Sequence, residues 1–294
     1  MSETHTMTAP VAATPAKRIG SISRQRLLNR TVHYLVLSAL AVITVYPFWW
    51  TLVTAVSTAG EVYSFPPALL PTEPGLQNFL EVFQTIDVWA FYKNSILISG
   101  ATVIGTLLIC SLAAYPIARM KFAGRNWVFG AIVATMILPS EVNFLVNFIT
   151  VSKLGLTDTV SGVVLPNLAG AVGIFLMKQA FEAVPQDLID AAKVDGANEW
   201  EVFWKIMLPL AKPALGALAI LTLVSAWNQY IWPSIVMTSV ENFPLSVGVS
   251  YLKGTFSFKT RVVAAGAVLT VLPILIMFLF TQRYFLRGFD GAVK

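Results

Sequence analysis

Six apolar runs, at about residues 34–56, 94–118, 127–150, 160–178, 213–236 and 262–283, are each roughly 20 residues long and nearly free of charge. That spacing constrains the chain more than anything else in it. A helix rises about 1.5 Å per residue, so 20 residues cover the roughly 30 Å hydrocarbon layer of a bilayer. In that layer each backbone N–H and C=O needs a partner within the chain, and a helix supplies one. Ordinary strands are much shorter than these runs. The reading is an all-α, polytopic membrane protein with six transmembrane helices. Charged residues make up 12% of the chain, about half of what soluble domains carry, and 56% are apolar. So little charge covers a surface only if the solvent is lipid.

Charge placement predicts orientation. Five basic residues, Lys17, Arg18, Arg24, Arg26 and Arg30, precede the first run. Residues 1–30 read as a polar tail, with helix beginning near Ser23–Arg30. The turn 119–125 carries Arg119, Lys121 and Arg125 and no acid; the C-terminal tail carries Arg283, Arg287 and Lys294. With six spans these three segments share one side, which the positive-inside rule makes cytoplasmic. The opposite loop, 57–92, has Glu61, Glu73, Glu81 and Asp87 and no basic residue. Loop 237–261, with Lys253, Lys259 and Arg261, runs against the rule. Trp89, Trp127, Trp232 and Tyr284 fall near span ends, where aromatic rings anchor at headgroup depth. Pro47, Pro139, Pro166 and Pro273 lie in or near the runs, where proline frees a carbonyl and bends a helix.

Several function classes drop out. Cys110 is the single cysteine, and His5 and His33 are the two histidines, so no zinc site is expected. No catalytic residues converge within the spans. The sequence has no G-x-x-x-x-G-K-[ST] loop, so ATP chemistry is not its own. The net charge of +5 belongs to residues beside apolar runs, which points to topology and not to nucleic acid.

The most informative stretch is the charged loop 181–213, FEAVPQDLIDAAKVDGANEWEVFWKIMLPLAKP. Six acids stand in it: Glu182, Asp187, Asp190, Asp195, Glu199 and Glu201. Pro185 opens a helical pattern whose packed face is read as Leu188, Ala191 and Ala192. Gly196 suits a helix C-terminus. Asn198 and Glu201 have capping-box spacing for a second helix. Phe203, Ile206 and Met207 form its apolar stripe, and Pro209 and Pro213 mark its end. Two short helices around a glycine turn make a cytoplasmic knob, fit either for docking a partner or for packing on its own bundle.

The segment DAAKVDGANEWEVFWKIMLP resembles the signature of permeases of binding-protein-dependent ABC importers. Asp190 replaces the family's opening glutamate; Ala191, Ala192, Asp195, Gly196, Ala197, Ile206, Leu208 and Pro209 fit. YKNSILIS at 92–99, SLAAYPIARMKFAGR at 111–125, WNQYIWP at 227–233 and QRYFLRGFDGAVK at 282–294 resemble the smaller six-helix subunit of carbohydrate-type, maltose-permease-like importers. The resemblance covers about residues 30–294. It implies a type I ABC importer permease fold, with residues 1–30 a cytoplasmic tail and 31–294 the permease domain. It implies transport of a sugar or oligosaccharide, a prokaryotic inner-membrane location, a second related permease, two copies of an ABC ATPase and an extracytoplasmic solute-binding protein. ATP and Mg²⁺ would be used by that ATPase, with no cofactor in this chain. The knob would be its coupling element, carried by Asp190, Ala191, Ala192, Asp195, Gly196, Ala197, Phe203, Leu208 and Pro209. Gly196 is expected to matter through its backbone and through close approach to neighbours.

A polar solute needs hydrogen-bonding groups away from lipid. Counting along straight spans, Asn228 lies about 15 residues into the fifth, roughly 22 Å deep. Glu141 and Asn143 reach similar depth in the third. Trp227 and Tyr230 offer flat rings for a sugar's apolar face. The bland alternative is packing glue between helices. Two rival functions remain: a permease for glycerol 3-phosphate or a related polyol phosphate, whose anionic cargo favours basic groups in the path, and a stand-alone channel or ion-coupled carrier.

Overall fold

The computed structural model describes residues 19–62, 69–255 and 259–290, and among them there is no strand. The helices are α1 (Ile19–Val56), α2 (Ala59–Val62), α3 (Gln77–Thr85), α4 (Val88–Arg119), α5 (Arg125–Ala134), α6 (Phe144–Lys153), α7 (Val160–Val164) and α8 (Ala171–Glu182). They continue with α9 (Gln186–Val194), α10 (Glu199–Glu201), α11 (Leu208–Leu210), α12 (Lys212–Asn228), α13 (Ile231–Val236), α14 (Leu245–Thr255) and α15 (Thr260–Asp290). Residues up to Trp50 and residues from Thr51 onward form two compact units. Within the first, α1 exposes apolar side chains such as Leu35 and Ile43, as a lipid-facing helix does.

Three single helical stretches among the described residues are long and apolar enough to cross a bilayer: Arg26–Val56, Val88–Arg119 and Thr260–Leu279. Three more are bent pairs, and counting each pair as one crossing gives six among the described residues. The chain is a polytopic, all-α membrane protein. The bends are where sequence and structure part. The run 127–150 is not one helix: α5 and a 3-10 turn end at Ile137, and the chain resumes at a 95° angle. Pro139 explains this, because it lacks an N–H and holds Leu138 extended, at ψ 128°. The fourth run bends by 52° across Leu168–Gly170. The fifth stops at Asn228 and restarts as α13 after Gln229 and Tyr230. Pro47 and Pro273, by contrast, sit inside unbroken helices.

Helix α4 is the mast of the second unit, packed against α7, α8, α12 and α14. Its N-terminal end is stapled by side chains of the YKNS segment. Tyr92 Oη donates to Leu269 O at 2.6 Å, Asn94 Nδ2 to Glu241 O at 2.7 Å, and Ser95 Oγ accepts from Leu245 N at 2.7 Å. At the middle, α8 comes close through Gly173. A Cβ there would stand 2.7 Å from Cys110 Sγ and 3.3 Å from Leu218 Cδ1. The Cys110 thiol also lies 3.8 Å and 3.7 Å from the carbonyls of Leu168 and Gly170, freed by the bend. Overfilling such a contact costs about 1–3 kcal/mol. Gly173→Val is therefore expected to lower the melting temperature of the purified protein, and adding Cys110→Ala to recover part of the loss. Equal melting of Gly173→Val and wild type would show that α8 and α4 do not meet here.

The connections around residues 154–159 and 237–242 are tied by Asp158, which adopts a left-handed backbone at φ 60°. Its Oδ1 accepts from the N–H groups of Thr238 (2.9 Å) and Ser239 (3.0 Å), and its Oδ2 from Asn242 Nδ2 (3.1 Å). Burial pushes its carboxyl up, but the donors from Ser239, Thr238 and Asn242 outweigh burial and hold it below the ordinary carboxylate value. A depressed folded value means stability that is present above the unfolded value and lost as pH falls through the folded one. Lys259 pairs with Glu81, so loop 237–261, which breaks the positive-inside pattern, and the acidic loop 57–92 lie at one end. Trp232, expected at headgroup depth, is instead buried, its Nε1 donating to Val163 O at 3.2 Å. Trp89 and Trp127 are exposed. Tyr284's side chain lies outside the described residues.

Candidate functional site

The knob is built from local rules. Helix α9 has Asp187 in its first turn and Lys193 in its last, matching its dipole. It ends where Gly196 takes φ +89°. Gly196 N donates to Lys193 O (3.1 Å) and Ala197 N to Ala192 O (2.9 Å), the two bonds of a Schellman motif. Two residues on, the Asn198 side chain accepts from Glu201 N at 3.0 Å while Glu201 Oε2 accepts from Asn198 N at 3.1 Å. That is a capping box, and it starts α10. Lys193 and Glu199 close the corner with an ion pair at 2.6 Å. These bonds and the ion pair brace the corner, which makes it stiff.

The second arm continues as a π-helical turn, Val202–Met207. The wide turn aligns residues five apart, so Val202 and Met207 are both buried. Phe203 is buried with them. Its ring centroid lies 5.3 Å from Tyr115 and 6.3 Å from Phe181. Ile189 and Val184 complete this core against the C-terminal end of α4. The packed face of α9 is therefore Ile189 with half-buried Ala192; Leu188 and Ala191, expected inside, are exposed. The helical pattern fits both faces, and α4 decides between them.

Two residues of α4 bolt the knob down. Arg119 Nε donates to Phe181 O (3.0 Å), Nη2 to the carbonyls of Phe181 and Val184, and Nη1 to Gln186 Oε1 (3.1 Å). These carbonyls lie at the end of α8, where helices leave acceptors unmet. The planar guanidinium fork suits several acceptors at once. Gln186 Nε2 in turn donates to Asp190 Oδ1 at 3.0 Å, so the motif's first acid is tied through Gln186 to α4. Tyr115 Oη donates to Glu199 Oε2 at 2.6 Å. Sequence reasoning missed both residues as fasteners. Arg119 was visible only as one basic residue of a topogenic turn.

The other motif residues fall as follows. Asp190, Ala191, Asp195, Gly196 and Pro209 are exposed; Ala192, Ala197 and Leu208 are half-buried; Phe203 is core. Among the described residues, beyond the two chain neighbours, nothing lies within 4 Å of a Cβ built on Gly196. The close approach expected there is absent among these residues, and the left-handed backbone is what requires glycine. Val194 is 87% exposed.

The solute-path candidates separate. Glu141 and Asn143 lie beyond the 95° bend in an exposed 3-10 turn, so counting depth along a straight span fails for them. Trp227 is only 4% exposed, with its Nε1 donating to Thr270 O at 3.2 Å; it is a core residue and offers no free ring face. Asn228 is exposed at the end of α12 and donates to Val224 O at 2.9 Å. Tyr230 is exposed and accepts from Ser250 Oγ at 3.3 Å. These five residues do not gather on one wall. A different set does: Thr102, Thr106, Asn167, Thr222, Ser225 and Gln229 line a recess of about 310 Å³ among α4, α8 and α12.

With this geometry in view, comparison with known proteins is direct. Residues 88–290 match the family described as the binding-protein-dependent transport system inner membrane component. The arabinooligosaccharides transport system permease protein AraQ of Halalkalibacterium halodurans is 36% identical over 226 residues, 76% of this chain and 81% of that one. The sn-glycerol-3-phosphate transport system permease protein UgpE of Yersinia pestis bv. Antiqua (strain Antiqua) is 30% identical over 281 residues, 93% of this chain and all of that one. In the crystal structure of a bacterial ABC transporter that imports the acidic polysaccharide alginate, one chain superposes with a TM-score of 0.79 at 26% identity. That match covers 92% of this chain and 100% of the other. A family model covering more than half the chain, on a helical bundle with a knob bolted to α4, leaves one assignment: the protein belongs to the binding-protein-dependent transport system inner membrane components, a transport permease and not an enzyme.

Proposed function

We propose that this chain is one of two permease subunits of an ATP-driven importer for a neutral sugar or oligosaccharide. The observation that carries this is the stiff knob bolted to α4 by Arg119 and Tyr115. A rigid element tied to the central helix transmits a push; a loose loop absorbs it. The push comes from two copies of a separate ABC ATPase, which use ATP and Mg²⁺, because the chain has no phosphate-cradling loop. An extracytoplasmic solute-binding protein delivers the cargo. Both termini and the knob are cytoplasmic, on the basic side of the bundle. Similarity to the arabinooligosaccharide permease supports a saccharide cargo. Similarity to UgpE supports glycerol 3-phosphate as the second reading, and competition between the two solutes for uptake decides.

The exposed side of α9, with Leu188, Asp190, Val194 and Asp195, is the surface offered to the ATPase. A benzophenone side chain in place of Val194 is expected to crosslink to a nucleotide-binding subunit in membranes. Adducts with lipid alone would contradict the assignment of the knob.

A further inference from the structure

We infer that the uncharged recess among α4, α8 and α12 is a contact site for the hydroxyl groups of a neutral saccharide in transit, with Thr106 and the Asn167–Gln229 pair as its hydrogen-bonding groups. This rests on the importer reading above. Thr102 and Thr106 stand on either side of the midpoint of the 32-residue helix Val88–Arg119, so the recess is at mid-depth. Thr102 Oγ1 donates to Ile98 O at 2.7 Å, the usual refuge of a helical hydroxyl. Thr106 does not follow it. It is only 4% exposed, and its Oγ1 has no hydrogen-bond partner among the described residues. A buried unpaired hydroxyl is costly and calls for a ligand or water that completes it.

The opposite wall is made where two spans break. Asn167 ends the segment before the 52° bend, and Gln229 caps α12. Irregular backbone at membrane depth is tolerated where it is buried in protein or lines a water-filled cavity. Gln229 Nε2 donates to Asn167 Oδ1 at 3.2 Å, and Asn167 Nδ2 donates to Val163 O at 2.8 Å and to Gln229 Oε1 at 3.5 Å. Gln229 keeps a second N–H and an acceptor lone pair, so the pair presents both senses of hydrogen bond. Sugar hydroxyls need both. The volume of about 310 Å³ is at the lower end for small-molecule sites, enough for part of an oligosaccharide. None of the lining residues is charged, so a phosphate or carboxylate entering here would meet no counter-charge.

The test uses the complete importer with its delivery protein in proteoliposomes, and a panel of neutral di- and oligosaccharides, with glycerol 3-phosphate as counter-probe. Thr106→Val keeps the side chain's shape and removes its hydroxyl. It is expected to lower uptake of the fastest-moving saccharide about tenfold. Ser111→Ala is the matched control. Ser111 Oγ is also buried and unpartnered on α4, but it does not line the recess, and uptake should stay at the wild-type rate. In a second measurement, Ser225→Cys is modified with a charged thiol reagent; Cys110, the one native thiol, is buried. Saccharide loading is expected to slow modification roughly fivefold, and glycerol 3-phosphate to leave it unchanged. Wild-type uptake by Thr106→Val, or modification at Ser225→Cys unaffected by saccharide, would overturn this inference and leave the importer reading standing. A wild-type importer that moves glycerol 3-phosphate and no neutral saccharide would overturn the saccharide cargo and this site together.

Discussion

Gly196→Pro is expected to leave the chain inserted and to abolish solute-stimulated ATP hydrolysis by the assembled importer. Gly196 stands at φ +89°, and proline is fixed near −65°. Proline also removes the N–H that bonds Lys193 O. Both bonds of the Schellman motif are then lost, and with them the angle between α9 and α10. The cost, about 3 kcal/mol or more, falls on the corner of the knob and not on the membrane bundle. A graded series separates backbone strain from crowding. Open space around a Cβ at 196 means Gly196→Ala carries only the left-handed penalty, about 1–2 kcal/mol, and Gly196→Asn less. Stimulated hydrolysis should fall in the order Gly, Asn, Ala, Pro. If Ala equals Gly while Gly196→Trp fails, contact with a partner, and not backbone geometry, governs this position.

Arg119→Met is expected to have the next largest effect. It strands the Val184 carbonyl, leaves Phe181 O with backbone donors such as the Val184 N–H, and releases Gln186 from α4. An unmet acceptor costs about 1–3 kcal/mol when fully buried, and the Val184 carbonyl is part-buried. The knob should become open to protease between residues 181 and 199, and solute-stimulated hydrolysis should drop severalfold while basal hydrolysis persists. Arg119→Lys should rescue only in part, because a point charge cannot fork between two carbonyls and an amide. Wild-type coupling in Arg119→Met would remove α4 from the force path.

The parts of this architecture governed by short-range rules were legible in the sequence. Asn198 and Glu201 announce a capping box, Gly196 announces the helix end before it, and both stand where expected. Long apolar runs announce spans, and α1, α4 and α15 are continuous helices. Tertiary facts were not legible. The choice between Leu188 and Ile189 as the buried residue depends on where α4 lies. Arg119 meets acceptors 62 and 65 residues away, and Asn167 meets Gln229 across 62. Proline was an ambiguous signal: Pro139 marks a break, whereas Pro273 lies within a continuous helix. Treating the third run as straight misplaced Glu141 and Asn143, and treating Trp227 as a solute platform overlooked its place in the core.

The most direct measurement is solute uptake by sealed proteoliposomes of defined composition. One set holds this chain with its second permease, the ATPase and external delivery protein, with ATP and Mg²⁺ reaching the ATPase; the other holds this chain alone. Uptake is predicted in the first set only, and only while ATP is hydrolysed. Saccharide accumulation in the second set, with no nucleotide and no companion, would contradict a bundle driven through its bolted knob.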